Sequence, residues 1–251
     1  MIESSFLSAA TIVCSMFVAE SGLASGRVAL FLHPLGLDHT MWERQREGLG
    51  DELHLVMPDL PGFGRSRLEE CSVGLSVEAC AECLRGVTGP AVVIGVSYGG
   101  WVAALLAANY PNLVVGLAIS GVRARVPRSL AALQAAAFRA MPVGQLKRGE
   151  PVSNDVLKIE KRHLIEASRE LAEIDLMSSL PLITAPTVVF APSRDWFVRR
   201  DAPHVAAAIP GARLTPVPGV GHLWTERRPA PLIECVRALA SAAAIQAQQP
   251  S

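Results

Sequence analysis

The sequence predicts an α/β fold, a mostly parallel sheet with helices on both faces. Apolar runs of strand length alternate with helical patterns along most of the chain, as such a sheet requires. The second observation is size and composition. At 251 residues, 50% of them hydrophobic, the chain suits one large α/β domain with a modest insertion. The 23 Lys and Arg balance 23 Asp and Glu, so no polyanion-binding partner is indicated.

The elements follow in order. Phe6 to Ala19 is apolar enough to suggest a secretory segment. However, Glu3 stands where a basic start should be, and the first Lys or Arg is Arg27. The run is also shorter than a membrane span and is broken by Ser and Thr. It reads as two strands, near Phe6–Val13 and Ser15–Ala19. The expected location is cytoplasmic, with secretion as the alternative. Five cysteines without a disulfide-like framework fit a reducing compartment.

Further strands are expected at Val28–Leu32, Leu53–Met57, Ala91–Ile94, Leu113–Ile119, Thr187–Phe190 and Arg213–Val217. Helical patterns fall near Met41–Leu49, Ser76–Arg85, Tyr98–Ala108, Asp201–Ala208 and Pro231–Ala243. Between about Val122 and Leu182 the alternation breaks. That stretch holds a helical pattern at Ser129–Met141 and a connection with Pro142, Gly144, Gly149 and Pro151. A long helical pattern follows from about Asn154 to Met177. The expected organisation is a core of 1–121 and 183–251 with a helical insertion over 122–182. Gln246 to Ser251 reads as a frayed tail, and no internal repeat is present.

Chemistry concentrates at Gly95-Val96-Ser97-Tyr98-Gly99, a G-x-S-x-G pentapeptide between a buried strand and a helix. In that context the serine sits on a sharp, strained turn, and the glycines let strand and helix approach closely. Its hydroxyl would stand at a helix N-terminus, which favours developing negative charge. A serine nucleophile needs a base, normally a histidine oriented by a carboxylate. His222 lies in a Gly-rich loop after the Arg213–Val217 strand, and Asp195 lies just past the Thr187–Phe190 strand. An oxyanion site is also required. Its donors would be the N–H of Tyr98 and that of Leu35, in the loop His33-Pro34-Leu35-Gly36 after an early strand.

The chain resembles the α/β-hydrolase superfamily over nearly its whole length. The resemblance rests on Leu32-His33-Pro34-Leu35-Gly36, on Asp59-Leu60-Pro61-Gly62-Phe63-Gly64-Arg65-Ser66, on the pentapeptide, on the Asp195 turn and on Gly221-His222. The order Ser97, Asp195, His222 is the superfamily's order. The resemblance implies the α/β-hydrolase fold, with the insertion as a small helical cap over the site. It also implies a Ser-His-Asp triad and no metal or organic cofactor. Pro34 replaces the usual glycine, which leaves the Leu35 amide in place. The Asp59 turn is expected to fix loops around the site. Leu35-Gly36-Leu37-Asp38-His39-Thr40-Met41-Trp42 is similar to the L-G-x-D-x-x-M-W stretch of enol-lactonases, which favours a small ester or lactone substrate.

Other residues have plainer readings. Asp201 and Glu226 compete with Asp195 for the acid role, but helix capping explains Asp201 better and Glu226 follows the histidine too closely. Trp196 and Trp224 flank acid and base and are expected to line the pocket. His33 is expected to hydrogen-bond within its loop, and His39, His54, His163 and His204 to be structural or solvated. Cys80-Ala81-Glu82-Cys83 has C-x-x-C spacing but lies in a helical pattern with no second pair. Lys158 to His163 reads as a solvated helix face. A C–C bond hydrolase, a thioesterase, an acyltransferase or a ligand-binding receptor could use the same framework.

Overall fold

A computed structural model describes residues 2–3, 16–142 and 154–248. Its single sheet is built from β1 (Ile2–Glu3), β2 (Val18–Gly22), β3 (Arg27–Leu32), β4 (Leu53–Pro58), β5 (Ala91–Val96), β6 (Val114–Ser120), β7 (Thr187–Pro192) and β8 (Arg213–Val217). The spatial order is β1-β2-β4-β3-β5-β6-β7-β8. From β4 to β8 every pairing is parallel, and β1 and β2 add an antiparallel edge. The six strands expected after residue 27 are all present.

The N-terminal expectation needs correction. Phe6–Val13 lies outside the described residues. The second strand begins at Val18 and continues through Glu20 and Ser21 to Gly22, further along than Ser15–Ala19. These polar residues hid it from an apolar criterion. Across the β2–β4 pair, Glu20 meets the His54 imidazole at 2.7 Å, which satisfies its carboxylate at the sheet edge.

The helices are α1 (Glu43–Leu49), α2 (Val73–Arg85), α3 (Tyr98–Asn109), α4 (Arg128–Ala140), α5 (Asn154–Glu170), α6 (Ala202–Ala208) and α7 (Ala230–Gln248). Strand periodicity divides the core between two faces. Val28, Leu30 and Leu32 of β3 pack with α2 and α3, whereas Ala29 and Phe31 pack with Trp42, Leu49 and Val236. Among the described residues no helix is long and apolar enough to cross a membrane.

Several helix boundaries differ from expectation. α7 runs to Gln248, past Ala243 and into the stretch read as a frayed tail. α2 starts at Val73 because Ser72 caps it, accepting from Leu75 N–H at 3.0 Å. The helix-weak Gly74 masked that start. α5 ends at Glu170, short of Met177. There Asp175 instead caps a 3-10 turn at Leu176–Ser178, accepting from Met177 N–H at 3.0 Å. α4 and α5 form the inserted cap between β6 and β7. The cap docks on the loop after β4: buried His163 donates from Nδ1 to Gly62 O at 2.9 Å, and Glu170 accepts from Val73 N–H at 2.9 Å. The face expected to be solvated is therefore partly an interface.

Candidate active site

β5 ends at Val96, and the chain reverses at once into α3. Between them Ser97 has φ 55 and ψ −119, the one positive-φ residue other than glycine among those described. Such a backbone costs on the order of 1–3 kcal/mol and persists only where the surroundings enforce it. Here Ser97 N–H donates to Ser120 O on β6 at 2.8 Å, while Ser97 O accepts from the Gly100 and Trp101 amides at 2.8 and 3.1 Å. The helix start also lies hard against the sheet. A Cβ at Gly99 would sit 2.2 Å from Leu32 O, and one at Gly95 would sit 2.2 Å from Gly99 O.

Two neighbouring loops carry the acid and the imidazole. His222 Nδ1 lies 2.6 Å from Asp195 Oδ2, and Asp195 Oδ1 accepts from Phe197 N–H at 3.2 Å. Their loops are stitched together by Ser193 N–H to Val217 O at 3.0 Å and Arg194 N–H to Val220 O at 2.9 Å. A third tie runs from Gly219 N–H to Ser193 Oγ at 2.9 Å. The carboxylate can only accept, so Nδ1 carries a proton and Nε2 is left for other work.

Gly121, just after β6, lies beside both the ring and the Ser97 turn, or elbow. Its φ is +73, and a Cβ there would lie 2.9 Å from His222 Cε1 and 3.2 Å from Ser97 N. The imidazole and the Ser97 backbone thus both crowd the side-chain position of Gly121. Among the described residues no hydrogen bond joins the Ser97 hydroxyl to the ring. Bonds of this kind often tighten only around a reacting substrate.

The Tyr98 amide belongs to the first turn of α3, whose N–H groups lack intrahelical acceptors. Neither it nor the Leu35 amide has an acceptor among the described residues. The Tyr98 ring is fully buried, with its hydroxyl 3.3 Å from Ser76 Oγ, and burial pushes the phenol well up. The side chain is therefore part of the core. The Leu35 loop is pinned by His33, which is fully buried. Its Nε2 accepts from Leu60 N–H at 2.9 Å, so Nδ1 holds the proton and donates to Pro34 O at 2.8 Å. Burial lowers the His33 pKa and keeps the ring neutral.

The two tryptophans separate. Trp196 is 76% exposed, whereas Trp224 is 1% exposed. Trp224 packs on Phe190 at 5.0 Å between ring centres, and its indole N–H donates to Ser120 Oγ at 2.9 Å. It is a core side chain, whereas Trp196 stands exposed. The imidazole takes Asp195, and Asp201 instead pairs with Arg123, Nη2 to Oδ2, at 3.1 Å.

Other residues support the loops around these side chains. Asp59 is a buried hub: Oδ1 accepts from the His39 amide and ring, each at 2.7 Å, and Oδ2 accepts from Arg65 N–H at 2.8 Å. This fixes loops as expected of the Asp59 turn, and it gives His39 a partner. Asp38, His39 and Asp59 could in principle surround a cation, but these oxygens are already committed. Asp38 Oδ1 likewise accepts from the Thr40 amide at 2.9 Å. Cys80 and Cys83 are free thiols on α2; burial pushes Cys83 up to about 12 and Cys80 well above its ordinary value. They are packing side chains there.

The pattern described as the alpha/beta hydrolase family matches residues 29–234. An AB hydrolase superfamily protein of Gibberella zeae is 25% identical over 226 residues, covering 84% of this chain and 79% of that protein. Monoacylglycerol lipase ABHD6 of Bos taurus is 35% identical over 96 residues, or 36% of this chain and only 28% of the lipase's length. Among solved structures, the enol-lactonase of Burkholderia xenovorans LB400 superposes with TM-score 0.76. It is 19% identical, with 92% of this chain and 99% of that chain covered.

Proposed function

This chain belongs to the alpha/beta hydrolase family, and on that premise we propose that it is a serine hydrolase of small-to-medium esters or lactones. In this reading Ser97 Oγ attacks the carbonyl carbon while His222 Nε2 takes its proton. Asp195, bonded to Nδ1–H, holds the tautomer and stabilises the imidazolium. The amides of Leu35 and Tyr98 receive the oxyanion. Collapse expels the alcohol, to which His222 returns the proton, leaving an acyl group on Ser97. Water, deprotonated by the same ring, then releases the acid.

The observation that carries the proposal is the 2.6 Å Nδ1–Oδ2 contact of His222 and Asp195, held against the strained Ser97 turn by Gly121. The ester or lactone preference draws support from similarity to an enol-lactonase and a monoacylglycerol lipase. The 122–182 insertion would close over the substrate and exclude water. The test is a panel of short-chain esters, lactones, thioesters and β-diketones, with fluorophosphonate labelling of wild type and Ser97→Ala. Labelling and ester turnover should both vanish in the folded variant. Turnover that persists in Ser97→Ala removes Ser97 from the chemistry, and preferential cleavage of a β-diketone moves the reaction class to C–C hydrolysis.

A further inference from the structure

Arg123 lies in the loop after β6, next to the Gly121 contact, and the mechanism above makes no use of it. Its Nη1 donates to Phe197 O, and its Nη2 meets Asp201 at 3.1 Å. The guanidinium carbon also stands 5.4 Å from the centre of the Phe197 ring. Phe197 in turn touches both members of the acid–imidazole pair. Its N–H donates to Asp195 Oδ1 at 3.2 Å, and its ring meets the His222 ring edge-on at 6.1 Å between centres.

We propose that Arg123 is a positioning residue: its fork clamps Phe197 and through it holds both the Asp195 carboxylate and the His222 ring in line. This rests on the serine-hydrolase reading. The physical need is plain. Asp195 Oδ2 is taken by His222, so the carboxylate can still turn about its Cβ–Cγ bond unless Oδ1 is also held. Among the described residues, Phe197 N–H is the donor that holds it. The other side of Phe197, its carbonyl, is the end Arg123 grips. A planar guanidinium can grip that carbonyl and Asp201 at once, which a lysine ammonium matches poorly. The pair is partly exposed, with side chains 20% and 24% accessible, so its worth is in geometry more than in Coulomb energy. Arg123 contacts none of the reacting atoms.

The test compares wild type with Arg123→Met, Arg123→Lys and Asp201→Asn, using two readouts. One is kcat and KM on a short-chain p-nitrophenyl ester. The other is the low-field NMR resonance of the His222 Nδ1 proton, assigned by its loss in His222→Gln. Arg123→Met should lower kcat about tenfold with KM within about twofold, as misorientation without lost binding does. It should also shift or broaden the Nδ1 resonance. Arg123→Lys should recover part of both, and Asp201→Asn, which spares the bond to Phe197 O, should lose only about two- to threefold. Wild-type kcat with an unchanged resonance in Arg123→Met overturns the clamp. If that variant does not fold, an unchanged resonance in both milder variants does the same. Should wild type hydrolyse no ester, the serine-hydrolase reading fails, while the resonance still decides whether Arg123 orders the pair.

Discussion

The Asp195–His222 contact joins an acid that is 1% exposed to a ring that is 32% exposed, so one edge of the imidazole is fixed and the other is open. An amide at residue 195 would offer a donor where Nδ1–H now donates, and the ring would turn to the wrong tautomer. Asp195→Asn should therefore keep the fold by circular dichroism and lower kcat by about 10⁴-fold. Asp201→Asn, six residues further along, should not approach that loss. The Asp195–His222 pairing and the Ser97 turn were legible because each of these residues follows its own strand, and a strand end fixes where the next side chain can go. Arg123 was not, because its partner is a backbone carbonyl 74 residues away, a contact no local pattern encodes. Trp224 misled for the opposite reason. Adjacency to His222 suggested a shared pocket, yet in a turn successive side chains diverge, and this one enters the core.

At the scale of elements, the elbow depends on how closely α3 can approach β3. A methyl at Gly99 would lie 2.2 Å from Leu32 O and 2.7 Å from His33 O, both backbone atoms that cannot move without displacing the strand end. Gly99→Ala should destabilise the protein by about 1–3 kcal/mol in urea unfolding. It should also lower kcat, because the Leu35 loop begins where those carbonyls sit. A fully stable Gly99→Ala variant would mean that the packing of helix on strand is looser than described. Central elements were readable because burial on both faces demands continuous apolar runs. The ends were harder. α5 stops at Glu170 with no Gly or Pro to mark it; the chain tightens there, with Ala172 N–H donating to Arg169 O at 3.0 Å and Glu173 N–H to Glu170 O at 2.9 Å. The antiparallel strand β2 was misplaced because its polar Glu20 pairs with His54 on β4, 34 residues away in sequence.

Across the whole molecule, half-buried His39 and buried His33 tie stability to pH with opposite signs. Burial pulls the His39 pKa down, but the Asp59 hydrogen bond and charge outweigh it, so the net shift is upward from 6.5. Its contribution is complete below pH 6.5 and is lost as pH rises through the folded-state value. Burial pushes Asp59 up, but His39 and the neighbouring charges win, and its pKa falls below 3.8. That contribution is complete above pH 3.8 and is lost as pH drops through the folded value. The stability gap between wild type and His39→Gln should thus be widest between pH 3.8 and 6.5 and narrow on either side. His33, neutral by burial, acts the other way: its contribution is complete above pH 6.5 and is lost as pH falls below it. Thermal denaturation across pH checks both, and a gap that keeps widening above pH 6.5 contradicts the assignment to His39. The mostly parallel sheet and its cap were legible from the alternation of segments, whereas the antiparallel edge depends on pairing between distant strands.

The central claim is that the Ser97 hydroxyl accepts an acyl group with His222 as its base. The most direct measurement is rapid mixing of the protein with excess p-nitrophenyl acetate, followed by acid quench and peptide mass mapping. One acetyl group per chain on the peptide containing Ser97, formed in a burst and absent in His222→Ala, is the expected result. Steady turnover with no acylated Ser97 at any time, or equal acylation in His222→Ala, would contradict it.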